Sequence, residues 1–389
     1  MTAAPTVTVP TGTAPSDNRI LDRLREQSAQ RHAQGLDRVD AGPRGLDLAS
    51  NDYLGLADHP RVRAAAHEAI TALGTSARAS RLVTGTTQAH RDAEAALAEL
   101  TGRESGLVLS SGYAANLAAV TALSGPDCLI VSDAHNHASL IDACRLSRAS
   151  VQRTPHLDLA ATERALAERN CSEAIVLVES VYSVLGDTPD LPALLELCRT
   201  HDALLIIDEA HGLGVVGEGR GASRSLGEDD RVIVTATLSK ALGSQGGAVL
   251  GPATMRDALV NTARTFIFDT GLAPAAAAAA TAALRLIAAG EAPVEGLAEN
   301  RRRLTAALGI AEPVGAVASL PMPSASTAVA ARDEIARRDV SVGCFRPPSV
   351  PDGISRLRIT CRGDLSTEQI DDAAALIRTV ADAAATETG

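Results

Sequence analysis

The sequence contains no tryptophan, three tyrosines, three phenylalanines and three methionines. With so few large rings, its core must be built from aliphatic side chains and closely packed, alanine-rich helices. It also lacks any CxxC pair. Its six cysteines (Cys128, Cys144, Cys171, Cys198, Cys344 and Cys361) are scattered and read as reduced, packed thiols of a cytoplasmic protein. There is no excess of positive charge. The formal net charge of −11 argues against nucleic acid as a partner, because phosphate binding needs a basic face. The opening stretch, "MTAAPTVTVPTGTAPSDN", has neither a charged nor an apolar segment of the secretory kind and reads as a disordered tail. The longest apolar stretch, "LAPAAAAAATAALRLIAAG", is broken by Arg285, so it reads as a packed helix and not as a membrane span.

What is present is an ordinary globular composition, 46% apolar and 21% charged, in 389 residues. That length accommodates two domains, or one large domain and a smaller one. Beyond the tail, Ile20–Leu36 has helical spacing, and "LDLASNDYLGL" reads as a short strand and a turn. Apolar runs then recur at 106–110, 128–132, 174–179, 203–208, 231–236 and 247–251, with helical segments between several of them. Near-continuous apolar runs are expected of strands covered on both faces, so the pattern predicts an α/β domain with a mostly parallel sheet. From about residue 290 the chain changes to helices with short strands, "VSVGCF" and "RLRIT", an α+β arrangement. The division expected is a tail and helical arm over 1–48, a large α/β domain over 49–290 and a C-terminal α+β domain over 291–389.

In open α/β sheets ligands gather at the carboxyl ends of the strands. The strand ends here read, in order, "SSGYAAN", "DAHNHAS", "SVYSVLGD", "DEAHGLGV" and "TLSK". They offer a helix start whose amides can hold a phosphate, a histidine, a hydroxyl, a carboxylate beside a histidine, and a hydroxyl beside a lysine. Pyridoxal 5'-phosphate requires this set: an amine for a Schiff base, donors for its phosphate and a carboxylate for its ring nitrogen. Lys240 is the amine and Asp208 the carboxylate, with Thr237 at the phosphate end. Ala210, placed on the face of Asp208 by strand alternation, leaves room for a flat ring. Singly, each residue has an ordinary reading: a solvated lysine, an aspartate capping a helix, a surface histidine. Their ordered convergence carries the argument.

Two other patterns point elsewhere. "GLGVVG" (Gly212–Gly217) follows a strand, but the glycine-rich residues after it do not start the helix that dinucleotide binding needs. His135 and His137 lack a third ligand at metal-site spacing, so no metal is expected.

At these residues the chain resembles the α-oxoamine synthases. "SNDYLGL", "SGYAAN", "NHASLIDACRLS", "ESVYSVLGD", "DEAHGLGV", "TLSKALG" and "RPPSVPDGISRLRIT" occur in that family's order, from about residue 45 to the C-terminus. The resemblance implies a fold-type-I aminotransferase-like fold, with a mostly parallel seven-stranded sheet and a smaller C-terminal domain, and a homodimer. It implies Lys240 as the Schiff-base lysine and proton carrier, Asp208 as the ring-nitrogen partner and His137 as the ring stacked on the coenzyme. Ser183 and His211 are implied at the ring hydroxyl, and Thr237 with the amides of Gly112 and Tyr113 at the phosphate and ring. Asn51 and Arg358 are implied as the clamp on the amino-acid carboxylate. Ser349 stands where a substrate-contacting hydroxyl is implied, and Thr270 where a residue reaches the partner's coenzyme. Arg356 and Arg358 alternate with Leu357 and Ile359, which puts both guanidinium groups on one face of a short strand.

Gly212 after His211, together with "FRPPSVP", is similar to the branch that condenses L-alanine with a pimeloyl thioester in biotin biosynthesis. The sister activities on the same scaffold are glycine C-acetyltransferase, 5-aminolevulinate synthase and serine palmitoyltransferase. One departure stands out: where that branch has an N-terminal arginine, this chain aligns Asp37, with Arg38 next.

Overall fold

The computed structural model describes residues 18–34, 36–37, 42, 44–347, 349–350 and 352–386. Residues Met1–Pro43 and Arg44–Gly389 separate into two units. In the first, the helix Arg19–Ala33 begins where Asn18 Oδ1 accepts from the Ile20 and Leu21 amides at 2.9 and 3.4 Å. None of its side chains is buried. Asp37 accepts from His32 Nδ1 at 2.7 Å, and Arg38 lies outside the described residues.

The second unit holds, among the described residues, strands β1 (Leu46–Leu48), β2 (Ser105–Leu109), β3 (Cys128–Asp133), β4 (Ser150–Thr154), β5 (Glu173–Glu179), β6 (Leu204–Asp208), β7 (Val232–Thr237), β8 (Gly247–Gly251), β9 (Val317–Pro321), β10 (Val340–Phe345) and β11 (Arg356–Thr360). Seven of them form one sheet in the order β2-β8-β7-β6-β5-β3-β4. All neighbours in it are parallel except β8, which runs antiparallel to β2 and β7. Four form a second sheet, β1-β10-β11-β9, in which β1 is parallel to β10 and the other pairs are antiparallel. The strand expected in "LDLASNDYLGL" is therefore β1, and it completes the smaller sheet.

Two-residue alternation explains why the central strands are apolar throughout. Val131, Val176, Val178, Leu205, Ile207, Val232 and Val234 enter one core, and Ile130, Ile175, Leu177, Ile206 and Ile233 enter another. Each such side chain, once buried, stabilises the fold by about 1.5–3 kcal/mol. The alanine-rich stretch is the helix Pro274–Ala288, packed on the helices Pro60–Leu73 and Gln88–Thr101. Its small side chains permit that close approach. Among the described residues no helix is long and apolar enough to cross a membrane.

Two strands were not expected. In β4 four of five residues are exposed, because it lies at the edge of the sheet and pairs only with β3. It therefore lacks the apolar run that marks its neighbours. β9 is half-exposed in the smaller sheet and escapes the same criterion.

Candidate active site

Four adjacent strands deliver the site at their carboxyl ends. β3 ends at Asp133, β5 at Glu179, β6 at Asp208 and β7 at Thr237, with Glu179 paired to Asp208 and Asp208 to Thr235 across the ladder. Beyond β7 the chain turns tightly: Ser239 N donates to Thr237 Oγ1 at 3.3 Å, and Gly243 N to Lys240 O at 2.9 Å. Leu238, Ala241 and Leu242 are buried beneath this turn, which fixes Lys240 at the convergence of the strands.

Two cavities share Lys240, His137 and His211 as walls. The smaller, about 280 Å³, is also lined by Ser111, Gly112, Tyr113, Asn116, Asp208, Ala210, Thr237 and Ser239. The helix Gly112–Leu123 starts on its wall, capped by Ser111 Oγ, which accepts from Ala114 N at 3.0 Å. The Gly112 and Tyr113 amides stand at that positive helix end, beside the Thr237 and Ser239 hydroxyls, which are 2.7 Å apart. A Cβ on Gly112 would come within 2.9 Å of Thr237 Cβ, so glycine is needed for the close approach. Asp208 is 4% exposed and forms no ion pair among the described residues. It accepts from Asn116 Nδ2 at 2.7 Å and from Ala210 N at 2.8 Å. A buried carboxylate, a lysine amine and a helix-end anion cradle around one cavity fit pyridoxal phosphate in charge and in donor chemistry.

Hydrogen bonds orient both histidines. Asn116 Nδ2 also donates to Ser139 Oγ at 2.8 Å, and Ser139 Oγ lies 2.7 Å from His137 Nδ1. Burial, partly offset by Asp208, pushes His137 below its ordinary value, so the ring is neutral and takes the serine proton in its hydrogen bond. On the other side Lys240 Nζ lies 2.8 Å from His211 Nε2, and His211 Nδ1 lies 2.6 Å from the Tyr53 hydroxyl. Tyr53 donates to Asn51 Oδ1 at 3.1 Å, which also accepts from Arg358 Nη2 at 3.1 Å. Burial pushes Lys240 down to about 8, and burial with the nearby Lys240 and Arg358 charges pushes His211 well below its usual range. Burial raises Tyr53 to about 12, so it remains a donor. The direction of the chain follows: Lys240 donates to His211, His211 to Tyr53, and Tyr53 to Asn51.

The larger cavity, about 690 Å³, is lined by Asn51, Ser183, Ser349 and Arg358 as well as the three shared residues. Arg358 Nε donates to Ser183 O at 2.9 Å, and its guanidinium lies 5.3 Å from the Phe345 ring centroid. Lys240, Asp208, His137, His211, Ser183, Thr237, Gly112, Tyr113, Asn51, Ser349 and Arg358 thus line one cavity or the other, whereas Thr270 and Arg356 line neither. Arg356 and Arg358 are 2% and 5% exposed, which excludes a solvated basic edge. Arg356 pairs with Asp352 at 2.5 Å.

Several details differ from the sequence reading. β6 stops at Asp208, so Ala210 reaches the cavity through a turn closed by its own amide and not by strand alternation. As the sequence reading expected, the Gly212–Gly217 stretch starts no helix and forms a tight turn with a Leu213–Arg220 bridge. A Cβ on Gly212 would come within 1.9 Å of Glu209 Oε2, so a larger residue there requires the Glu209 side chain to move. Asn116, Ser139, Tyr53 and Glu179 were missed: Asn116 and Ser139 are neutral side chains on helices, Tyr53 lies in a turn, and Glu179 closes β5 one strand away from Asp208. Burial, and next the facing Asp208, hold the Glu179 carboxyl well above the usual carboxylate range. One plain signal did exist: Lys240 is the only lysine among the 36 lysines and arginines.

A second polar cluster lies behind the site. His156 is held between Asp133 Oδ1 at 2.8 Å and Asp187 Oδ2 at 2.9 Å, and stacks on His135 with centroids 3.7 Å apart. It joins the loop that carries His135–His137 to the loop that carries Tyr182 and Ser183.

The family model described as aminotransferase class I and II matches residues 43–377. The chain belongs to this family, and its fold is of the fold-type-I, pyridoxal-phosphate-dependent kind. Its relatives narrow the assignment to the 8-amino-7-oxononanoate synthases. The protein of that name from Mycolicibacterium gilvum (strain PYR-GCK) is 52% identical over 365 residues, covering 92% of this chain and 95% of the relative. Among solved structures, 8-amino-7-oxononanoate synthase from Francisella tularensis superposes with a TM-score of 0.73 at 25% identity, over 86% of this chain and 97% of that one. A serine palmitoyltransferase from S. paucimobilis, solved with a bound pyridoxal phosphate–myriocin adduct, gives a TM-score of 0.87 at 26% identity, over 95% and 100%.

Proposed function

We propose that this enzyme condenses L-alanine with a pimeloyl thioester to give 8-amino-7-oxononanoate, CO2 and the free thiol carrier, a step of biotin biosynthesis. The observation that carries this reading is the pair of cavities meeting at Lys240. One is equipped for pyridoxal phosphate, and the other has a buried arginine for a carboxylate. The names of its relatives support the choice of substrates.

When bound, pyridoxal phosphate supplies a carbonyl carbon for amines and a ring that accepts the electron pair left at a substrate Cα. The chain supplies the rest. Thr237, Ser239 and the Gly112 and Tyr113 amides hold the phosphate, and Asp208 holds the ring-nitrogen proton. His137, kept neutral, offers a flat uncharged wall, and His211 and Ser183 offer hydrogen bonds to the ring hydroxyl. Arg358, steadied by Asn51, binds the alanine carboxylate. Lys240, with its amine neutral in a large fraction near pH 8, takes the Cα proton and returns one after CO2 has left. Proton transfer by a positioned group contributes roughly 10²–10⁴ in rate. Ser349 lies where it can bond the acyl or amino-acid portion.

A cytoplasmic homodimer fits this reading. All six cysteines are free. Leu82, Val83 and Phe268 are exposed, and Phe268 leads directly to Asp269, which accepts from Ser110 beside the anion cradle. Thr270 follows and is the residue we assign to the partner's site.

The test supplies the purified, coenzyme-loaded protein with pimeloyl-CoA and, separately, L-alanine, glycine or L-serine, and quantifies product and free thiol. Turnover with L-alanine is expected. Turnover with glycine or serine in its place contradicts the assignment.

A further inference from the structure

The larger cavity has a feature that the reaction centre does not use. Among the described residues no aspartate or glutamate lines it, although the chain has 47 acidic residues and a formal net charge of −11. Its charged walls are Lys240, Arg358 and Arg153. Arg358 and Lys240 serve the amino acid and the coenzyme. Arg153 belongs to neither. It stands on the edge strand β4, paired in register with Ser132, and its Nη2 donates to Ala134 O at 2.8 Å. Among the described residues it meets no carboxylate. One nitrogen is thus anchored while the rest of the guanidinium fork is free to bind an anion on two N–H groups.

Its position sets the span. β4 lies three strand spacings beyond β6, which carries Asp208, a distance of roughly 14 Å. The walls contributed by Ile141, Val184, Leu185 and Val350 are apolar. With the amino-acid carboxylate at Arg358, an acyl chain matched to the rest of this cavity has a polymethylene middle and an anionic group at its far end.

We propose that Arg153 binds the distal carboxylate of the acyl substrate and so makes the enzyme select a dicarboxylic acyl chain over a plain fatty one. This rests on the reading of the chain as an acyl-thioester condensing enzyme. Arg153 is itself exposed on its strand, so the discrimination is that of a surface charge pair, about 1 kcal/mol at most, which is roughly fivefold.

The experiment compares wild type, Arg153→Gln and Arg153→Lys with L-alanine and three thioesters: pimeloyl-CoA, heptanoyl-CoA and the pimeloyl thioester of N-acetylcysteamine, which has no phosphate. Direct binding of free pimelate and of heptanoate is measured by calorimetry. In wild type, pimeloyl-CoA should outperform heptanoyl-CoA. In Arg153→Gln the KM for both pimeloyl thioesters should rise by up to about fivefold while the KM for L-alanine stays unchanged within error, and the preference for pimelate over heptanoate should vanish. Arg153→Lys should recover part of it, because charge returns without the fork. An unchanged pimeloyl to heptanoyl ratio in Arg153→Gln overturns the proposal. A loss confined to the CoA esters also overturns it, by assigning Arg153 to the carrier's phosphates. Arg153-dependent pimelate binding without any turnover of pimeloyl thioesters would leave the anion site standing and remove the condensing activity instead.

Discussion

Lys240 Nζ and His211 Nε2 lie 2.8 Å apart, and the contact continues through Tyr53 and Asn51 to Arg358. The amine that moves the substrate proton and the guanidinium that holds the substrate carboxylate therefore share one hydrogen-bonded chain. That chain runs from the turn after β7 to β11 of the smaller sheet, so the two sheets are coupled at the point of chemistry.

Tyr53→Phe cuts this chain at its middle. The His211 Nδ1–H is left without its acceptor in a fully buried setting, which costs about 1–3 kcal/mol of stability. Chemical denaturation should show that loss, and steady-state kinetics should show a higher KM for L-alanine as Asn51 and Arg358 loosen. Unchanged stability and unchanged KM would mean that the contact does not hold the site together.

Arg358→Ala removes the buried guanidinium that lines the larger cavity. The KM for L-alanine should rise by a larger factor than the KM for the thioester. The opposite ratio would move Arg358 from the amino acid to the acyl chain.

Asp208→Asn keeps the shape and one acceptor oxygen, enough for one of the two hydrogen bonds from Asn116 and Ala210, but removes the buried charge. Turnover should fall by about a hundredfold or more, because a preorganised charge at the reacting ring is lost. Coenzyme binding, followed by its visible absorbance, should weaken far less than turnover. A variant that keeps full turnover would show that Asp208 only closes the strand, the ordinary structural reading of such a residue.

Much of this was legible in the sequence, for a physical reason. Strands buried on both faces spell themselves out as apolar runs, and the chemistry of an open sheet collects where those runs end. Five of the seven strands of the large sheet and the lysine, aspartate and histidines were found in this way. β8 was found as well, but nothing in "GAVLG" showed that it runs against its neighbours. β4 was not found, because an edge strand with four exposed residues lacks the apolar run, and Arg153 went unnoticed with it. Asn116 and Tyr53 escaped because their roles depend on partners 92 and 158 residues away in the chain.

The His156 clamp should make stability depend on pH. Burial opposes charge on this ring, but the hydrogen bonds to Asp133 and Asp187 outweigh it and push it up to about 9. Its folded value lies above the unfolded value near 6.5, so the charged clamp contributes fully below about pH 6.5 and its contribution is lost as pH rises through 9. Denaturation midpoints of the wild type should fall between pH 7 and pH 9.5 more steeply than those of His156→Gln. Parallel curves for the two proteins would show that His156 carries no charge in the fold.

The most direct test of the central claim uses the fact that Lys240 is the only lysine in the chain. The protein is incubated with pyridoxal phosphate and reduced with borohydride, and its peptides are weighed by mass spectrometry. The account predicts one coenzyme per chain, attached to the peptide that contains Lys240. A peptide map in which Lys240 remains unmodified would contradict it.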